Sequence, residues 1–188
     1  MNRQILFTST LIIIFITLSI LIGNIPTESL VAFVGDENIF ILMFVLGLVG
    51  GLTTFSGIPY HLILMSLASA GASPILLGLV TASGVMIGDS VTYGLGKRAG
   101  KILGPEVKNV LNHLASALAT HPKILTPALI LYGTISPFSN DFVVASLSFM
   151  GYAYKKVIIP LTIGNVFYNT ALAYLGYYYY DTIISWFI

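Results

Sequence analysis

Three side chains in this sequence can carry a proton or meet a charge from within apolar surroundings: Asp89, Asp141 and His61. Asp89 is the only charged residue in the run Pro74–Leu95, which is long enough to cross a bilayer. An ionisable group in such a run is costly and usually faces a protein interior or a wet cavity, so it is a candidate site. A carboxyl there can take up and release protons and so couple them to transport. Tyr93 lies one helical turn further on, where its hydroxyl can hydrogen-bond the Asp89 carboxylate. The competing reading makes Asp89 a structural acid, bonded to backbone or paired with a base. Asp141 follows the break Pro137-Phe138-Ser139-Asn140 and opens an apolar run. That position suits capping of a helix N-terminus, and it equally suits a substrate contact at a half-helix end within a membrane. His61 follows Pro59 and Gly57 and has the same choice, between a cap and a titrating group.

A repeat places these residues. Ser56–Gly96 aligns without gaps on Ser136–Gly176, and Ser56, Ser66, Leu67, Gly71, Gly84, Leu95 and Gly96 fall on Ser136, Ser146, Leu147, Gly151, Gly164, Leu175 and Gly176. Chance alone gives roughly three matches in so biased a composition, so the spacing of breakers and polar groups carries the case. In this register Asp89 falls on Asn169, His61 on Asp141, and Gly88 on Tyr168. Gly84 and Gly88 form a small-xxx-small pair that lets a second helix approach beside the acid, and an amide such as Asn169 commonly glues helices. If the two breaks meet tip to tip, His61 and Asp141 approach each other and can share a proton.

Composition fixes the class. The chain has 188 residues, is 56% hydrophobic and only 8% charged, and its mean hydropathy is +0.93. A water-soluble domain of this length needs more charged surface, so an integral all-α membrane protein is expected. The net charge of +1 gives no electrostatic case for nucleic acid. Without cysteine there are no disulfides or thiolate metal sites. His113 and His121 have no partners at metal spacing, no Ser/His/Asp constellation is apparent, and neither an enzyme, a metal nor a cofactor is expected. Gly94-Leu95-Gly96-Lys97-Arg98-Ala99-Gly100 superficially matches a dinucleotide fingerprint, but it follows a membrane helix rather than a strand.

The elements follow from the apolar runs. Ile5–Ile22 reads as a retained transmembrane helix, because Gly23-Asn24-Ile25-Pro26 offers no small-residue cleavage site. Residues 1–38 are this helix and an acidic external loop, and residues 39–188 are the transmembrane domain. Its repeat units span 39–100 and 123–180. The pieces around the breaks Gly57/Pro59 and Pro137/Asn140 are short for two crossings each, so each unit reads as a re-entrant hairpin followed by a crossing helix. An odd number of passages makes the two units an inverted repeat. With the N-terminus cytoplasmic, all eight basic residues fall inside: Arg3, Lys97, Arg98, Lys101, Lys108, Lys123, Lys155 and Lys156. Lys97, Arg98 and Lys101 then act as topology determinants and lipid-headgroup contacts. The linker 105–121 has helical apolar spacing, and lies either on the membrane surface or on the protein's own hairpins.

The block Gly84–Gly100, with Gly84, Gly88, Asp89, Tyr93, Gly96, Lys97 and Gly100, resembles the DedA (VTT-domain) family of membrane proteins. The likeness extends more loosely over about 40–180, including Pro59 and the Pro137 break before Ala145–Gly151. It implies two facing re-entrant hairpins and a flippase or scramblase that moves a lipid or a lipid-linked phosphate carrier, driven by protons. Membrane lipids are the implied partners, a homo-oligomer is a candidate assembly, and the plasma membrane is the expected location. The chain departs from the family pattern at both tips. Hairpin 1 reads Pro59-Tyr60-His61 without an acid, and hairpin 2 has Asn140-Asp141 where phosphate-carrier members have an arginine. The alternatives from other classes are a membrane scaffold and a proton-driven exporter of small molecules. In this cysteine-free chain, Lys101→Cys should react with an impermeant maleimide only from the cytoplasmic face. Labelling from outside would overturn the topology.

Overall fold

A computed structural model describes residues 10, 38–51, 60–102, 109, 122–136 and 139–184. Apart from residues 10 and 109, the expected helix 5–22 and the linker helix 105–121 lie outside these, as do the break residues Gly57, Pro59 and Pro137. Among the described residues the chain forms six helices and no strand: α1 (Ile39–Gly50), α2 (Tyr60–Ser69), α3 (Pro74–Ile102), α4 (Pro122–Ile135), α5 (Asp141–Phe149) and α6 (Tyr154–Ile184).

The repeat is visible first in the turns. Gly71 and Gly151 have φ of +99° and +80°, the left-handed conformation that glycine adopts without a Cβ penalty. Each ends a short helix in the same way. Ala72 N–H donates to Leu67 C=O at 3.1 Å and Tyr152 N–H to Leu147 C=O at 3.0 Å, closing matched Schellman caps. A long helix starts three residues after each glycine.

The packing repeats as well. α1 lies on α3 and α4 on α6, while the short helices cross over, α2 onto α6 and α5 onto α3. Exchanging the first three helices for the last three reproduces this set of neighbours. α3 and α6 pack antiparallel, since Gly78 abuts Thr170 while Ser90 meets Tyr154. Small residues make the approaches possible. Backbone of Phe44, Gly47 and Leu48 occupies the space where Gly84 lacks a side chain, and Gly51 does the same at Gly88. Gly164 is filled by Ile130 and Gly133 in the same manner. The crossed pairs match too: Gly96 rests on Ala145 and Ser148, and Gly176 on Met65, the repeat mate of Ala145. The register of 80 holds for these pairs and for the turns. Gly47 and Gly133, the corresponding contacts of the first limbs, stand 86 apart instead.

Two apolar cores result, and each draws one fully buried residue from the other half. Leu42, Leu46, Leu64 and Leu77 enclose Ala173, whereas Leu129, Val144, Leu147 and Leu161 enclose Tyr93. Ala173 and Tyr93 are themselves repeat mates. The outer faces are also apolar: Ile75, Leu79, Ile87 and Val91 on α3 and Ile159, Ile163 and Phe167 on α6 are exposed. Pro74–Gly100 and Tyr154–Tyr180 are long and apolar enough to cross a membrane. The other four helices have 14 residues or fewer and are too short to span about 30 Å of hydrocarbon alone.

Helix ends differ from the sequence expectation in an instructive way. α3 runs through Gly94, Gly96 and Gly100 to Ile102, rather than stopping near Leu95. Glycine lowers intrinsic helicity, but α5 lies in the groove that Gly96 and Gly100 leave, with Ala145, Ser148 and Phe149 against them. Tertiary contact thus overrides local propensity. Gly84→Ala should cost about 1–3 kcal/mol by forcing α1 off α3, read as a lower thermal midpoint in detergent. Gly94→Ala has open space around it and should instead gain about 0.5–1 kcal/mol.

Candidate functional site

Asp89 lies just past the midpoint of α3, at 1% exposure. Gly88 beside it admits the end of α1, and α5 closes over the other side. Asn140, the residue before α5, donates from Nδ2 to Asp89 Oδ2 at 3.0 Å. Asp89 Oδ1 is buried with no hydrogen-bond partner.

The second acid is held differently. Asp141 is 7% exposed, and both its oxygens are engaged. Thr92 Oγ1 donates to Oδ1 at 2.8 Å and Ser139 Oγ to Oδ2 at 2.9 Å. The Tyr132 hydroxyl donates to the Ser139 carbonyl at 3.2 Å and ties α4 into the same network. All of these donors are neutral. Asp89 and Asp141 lie within electrostatic reach of each other, so two carboxyls share one interior with no basic side chain among these contacts.

Several sequence expectations change here. Tyr93 does not hold Asp89. Its hydroxyl donates to the Tyr152 carbonyl at 2.7 Å, and its ring meets Tyr154 edge-on at 5.3 Å. The i+4 spacing is right, but α3 turns Tyr93 into the second core, where it clamps the α5–α6 connection. Ser90 bonds the Tyr154 hydroxyl at 2.7 Å and adds to that clamp. Asn140, read as a break or cap, makes no side-chain cap bond, because its amide is spent on Asp89. Asn169 does not glue helices through its amide nitrogen, which donates to Asn165 C=O of its own helix at 2.8 Å. Asn169 Oδ1 and Asn165 Nδ2 are buried and unpaired.

His61 and Asp141 take separate partners. The His61 ring lies 3.8 Å from that of Tyr60 and meets Tyr168 edge-on at 5.5 Å. Each of the two therefore docks on the long helix of the opposite half, His61 on α6 and Asp141 on α3. Tyr60 packs its ring over Gly50. Lys97 and Arg98 are exposed near the end of α3, beyond the acid. Gly84, Gly88 and Gly164 are close-approach points, as their spacing suggested.

Thr92, Asn165 and Tyr60 join the site without having been singled out by sequence. Two of them carried a readable signal: Thr92 is three residues from Asp89 and Asn165 four from Asn169, each on a shared helix face. Tyr60 had none, whereas Ser139, part of the break before Asp141, meets that neighbour locally: its Oγ donates to Oδ2 and accepts from the Asp141 N–H at 3.3 Å. Among the described residues no three His, Asp or Glu side chains converge as a metal set. In comparisons with known proteins, no family model, curated protein or solved structure matches the chain.

A double-mutant cycle between Asp89→Asn and Asn140→Ala should return a coupling of about 1 kcal/mol. Tyr93→Phe should be additive with Asp89→Asn within about 0.5 kcal/mol. Strong coupling between Tyr93 and Asp89 would restore the pairing read from sequence.

Proposed function

We propose that this chain is a DedA-like integral membrane transporter that moves a lipid or lipid-linked carrier between leaflets, coupled to protons through Asp89. One observation carries the reading above the rest. A carboxyl at 1% exposure within a membrane-length helix keeps one oxygen unpaired, while the tip of the other half holds its second oxygen through a neutral amide. A purely structural acid would be expected to satisfy both oxygens, as Asp141 does.

In this reading α1 with α2 and α4 with α5 are re-entrant hairpins that enter from opposite sides, and α3 and α6 are the crossings. The exchange-related packing, the antiparallel α3 and α6, and the shortness of the four other helices support it. An inverted repeat of this kind can open to either side by rocking one set of contacts against its twin. Asp89, released from Asn140 as the tip moves, then gains or loses its proton. Lys97 and Arg98 hold the cytoplasmic interface of the plasma membrane.

Reconstitution into vesicles with fluorescent lipids tests this directly. The protein should accelerate lipid movement between leaflets, a proton gradient should change the rate, and Asp89→Asn should reduce it at least about tenfold. Unchanged movement in Asp89→Asn would remove the acid from the mechanism. No movement by the native chain would favour the scaffold reading.

A further inference from the structure

We propose that the Asp89 cluster receives the ammonium group of an amine-bearing amphiphile and disfavours lipids whose headgroup is only a phosphate. This rests on the transport reading above and adds its substrate class.

Two observations on the cluster point the same way. Asp89 Oδ1 is buried without a partner, so the site presents an unfilled carboxyl oxygen. The side chains seen to donate to the two acids among the described residues are neutral: Asn140 to Asp89, and Thr92 and Ser139 to Asp141. The sequence supplies no remedy nearby. No Lys or Arg occurs in residues 39–96, 124–154 or 157–188, which include both hairpin tips and the interior of both long helices. The described basic side chains, Lys97, Arg98, Lys155 and Lys156, are exposed near helix ends.

Charge then decides the class of headgroup. A phosphate entering here brings negative charge toward two carboxyls without a guanidinium or ammonium clamp, in a medium where screening is weak. An ammonium brings the complementary charge and an N–H for Oδ1, which is the stronger, charge-assisted kind of hydrogen bond. Its other N–H groups can be met by the hydroxyl oxygens of Thr92 and Ser139, each of which has lone-pair capacity left. Asn140 and Ser139 are only half-buried, so they form the outer edge of the cluster. An amphiphile suits the surroundings better than a free amine. Ile87 and Val91, exposed on α3 on either side of Asp89 in sequence, offer apolar surface for acyl chains.

The experiment uses the full chain in phosphatidylcholine vesicles carrying trace acyl-chain-labelled phosphatidylethanolamine, phosphatidylcholine or phosphatidylglycerol, with dithionite quenching of the outer leaflet. The ethanolamine lipid should move fastest, the choline lipid more slowly for want of an N–H, and the glycerol lipid slowest. A ratio of about tenfold between first and last corresponds to about 1.4 kcal/mol. Asp89→Asn should level the three rates, and Asp89→Glu, which keeps the carboxyl, should preserve the order. Equal movement of the ethanolamine and glycerol lipids by the native chain overturns the headgroup assignment and leaves transport standing. A preference that survives Asp89→Asn overturns its assignment to this cluster. Failure to move any lipid overturns the transport reading itself.

Discussion

Close approach of helix backbones is the constraint from which the other features follow. Gly84 and Gly88 leave no room for a side chain between α3 and α1, and Gly164 leaves none between α6 and α4. Gly96 and Gly176 impose the same on the crossed short helices. Contacts this tight fix rotation as well as distance, so they decide which faces of α3 and α6 turn inward. Asp89 adjoins Gly88 in sequence and is carried into the interface by it. Asn140 reaches the carboxyl because α5 is seated on the stretch of α3 that contains Gly96. Van der Waals packing of small residues is the kind of force available between helices whose outer faces are already apolar.

The two halves share this frame and differ in what lines it. On one side, α3 is joined to α5, the α5–α6 connection and α6 by four side-chain hydrogen bonds, from Asn140, Thr92, Tyr93 and the Ser90–Tyr154 pair. The matching positions on the other side are Tyr60, Leu172, Ala173 and the pair Thr170 and Pro74. They meet their neighbours mainly through rings and apolar surface. Asp141 is exchanged for His61 and Asp89 for Asn169. The duplicated scaffold therefore presents one acidic junction and one aromatic, amide-bearing junction.

Much of this was legible in the sequence, and the limits have physical causes. The register of 80 and the small-residue pairs depend on local chemistry, and each reappears in the structure at the expected residues. Asp89 was identifiable because a lone charge in an apolar run has few cheap explanations. The partners of Asp89 were not identifiable, because Asn140 reaches it only through the crossing of α5 onto α3, a contact between residues 51 apart. Tyr93 shows the complementary error. Spacing along one helix gave a plausible partner, but the angle of α3 against the second core turned the hydroxyl elsewhere. Helix ends failed for a similar reason, since glycines that read as stops are compensated by neighbours from the other half.

The difference in register between the halves shows what the packing tolerates. The second limbs and long helices keep a spacing of 80, whereas the first limbs stand 86 apart at Gly47 and Gly133. The stretch of chain between corresponding contacts of the first and second helices thus differs by six residues between the halves, while the helix contacts on both sides of that stretch correspond. The packing of the two halves therefore accommodates a change of chain length at this place in the sequence. Just after it, at the start of each short helix, the two halves carry unlike chemistry, His61 in one and Asp141 in the other, within the same way of packing.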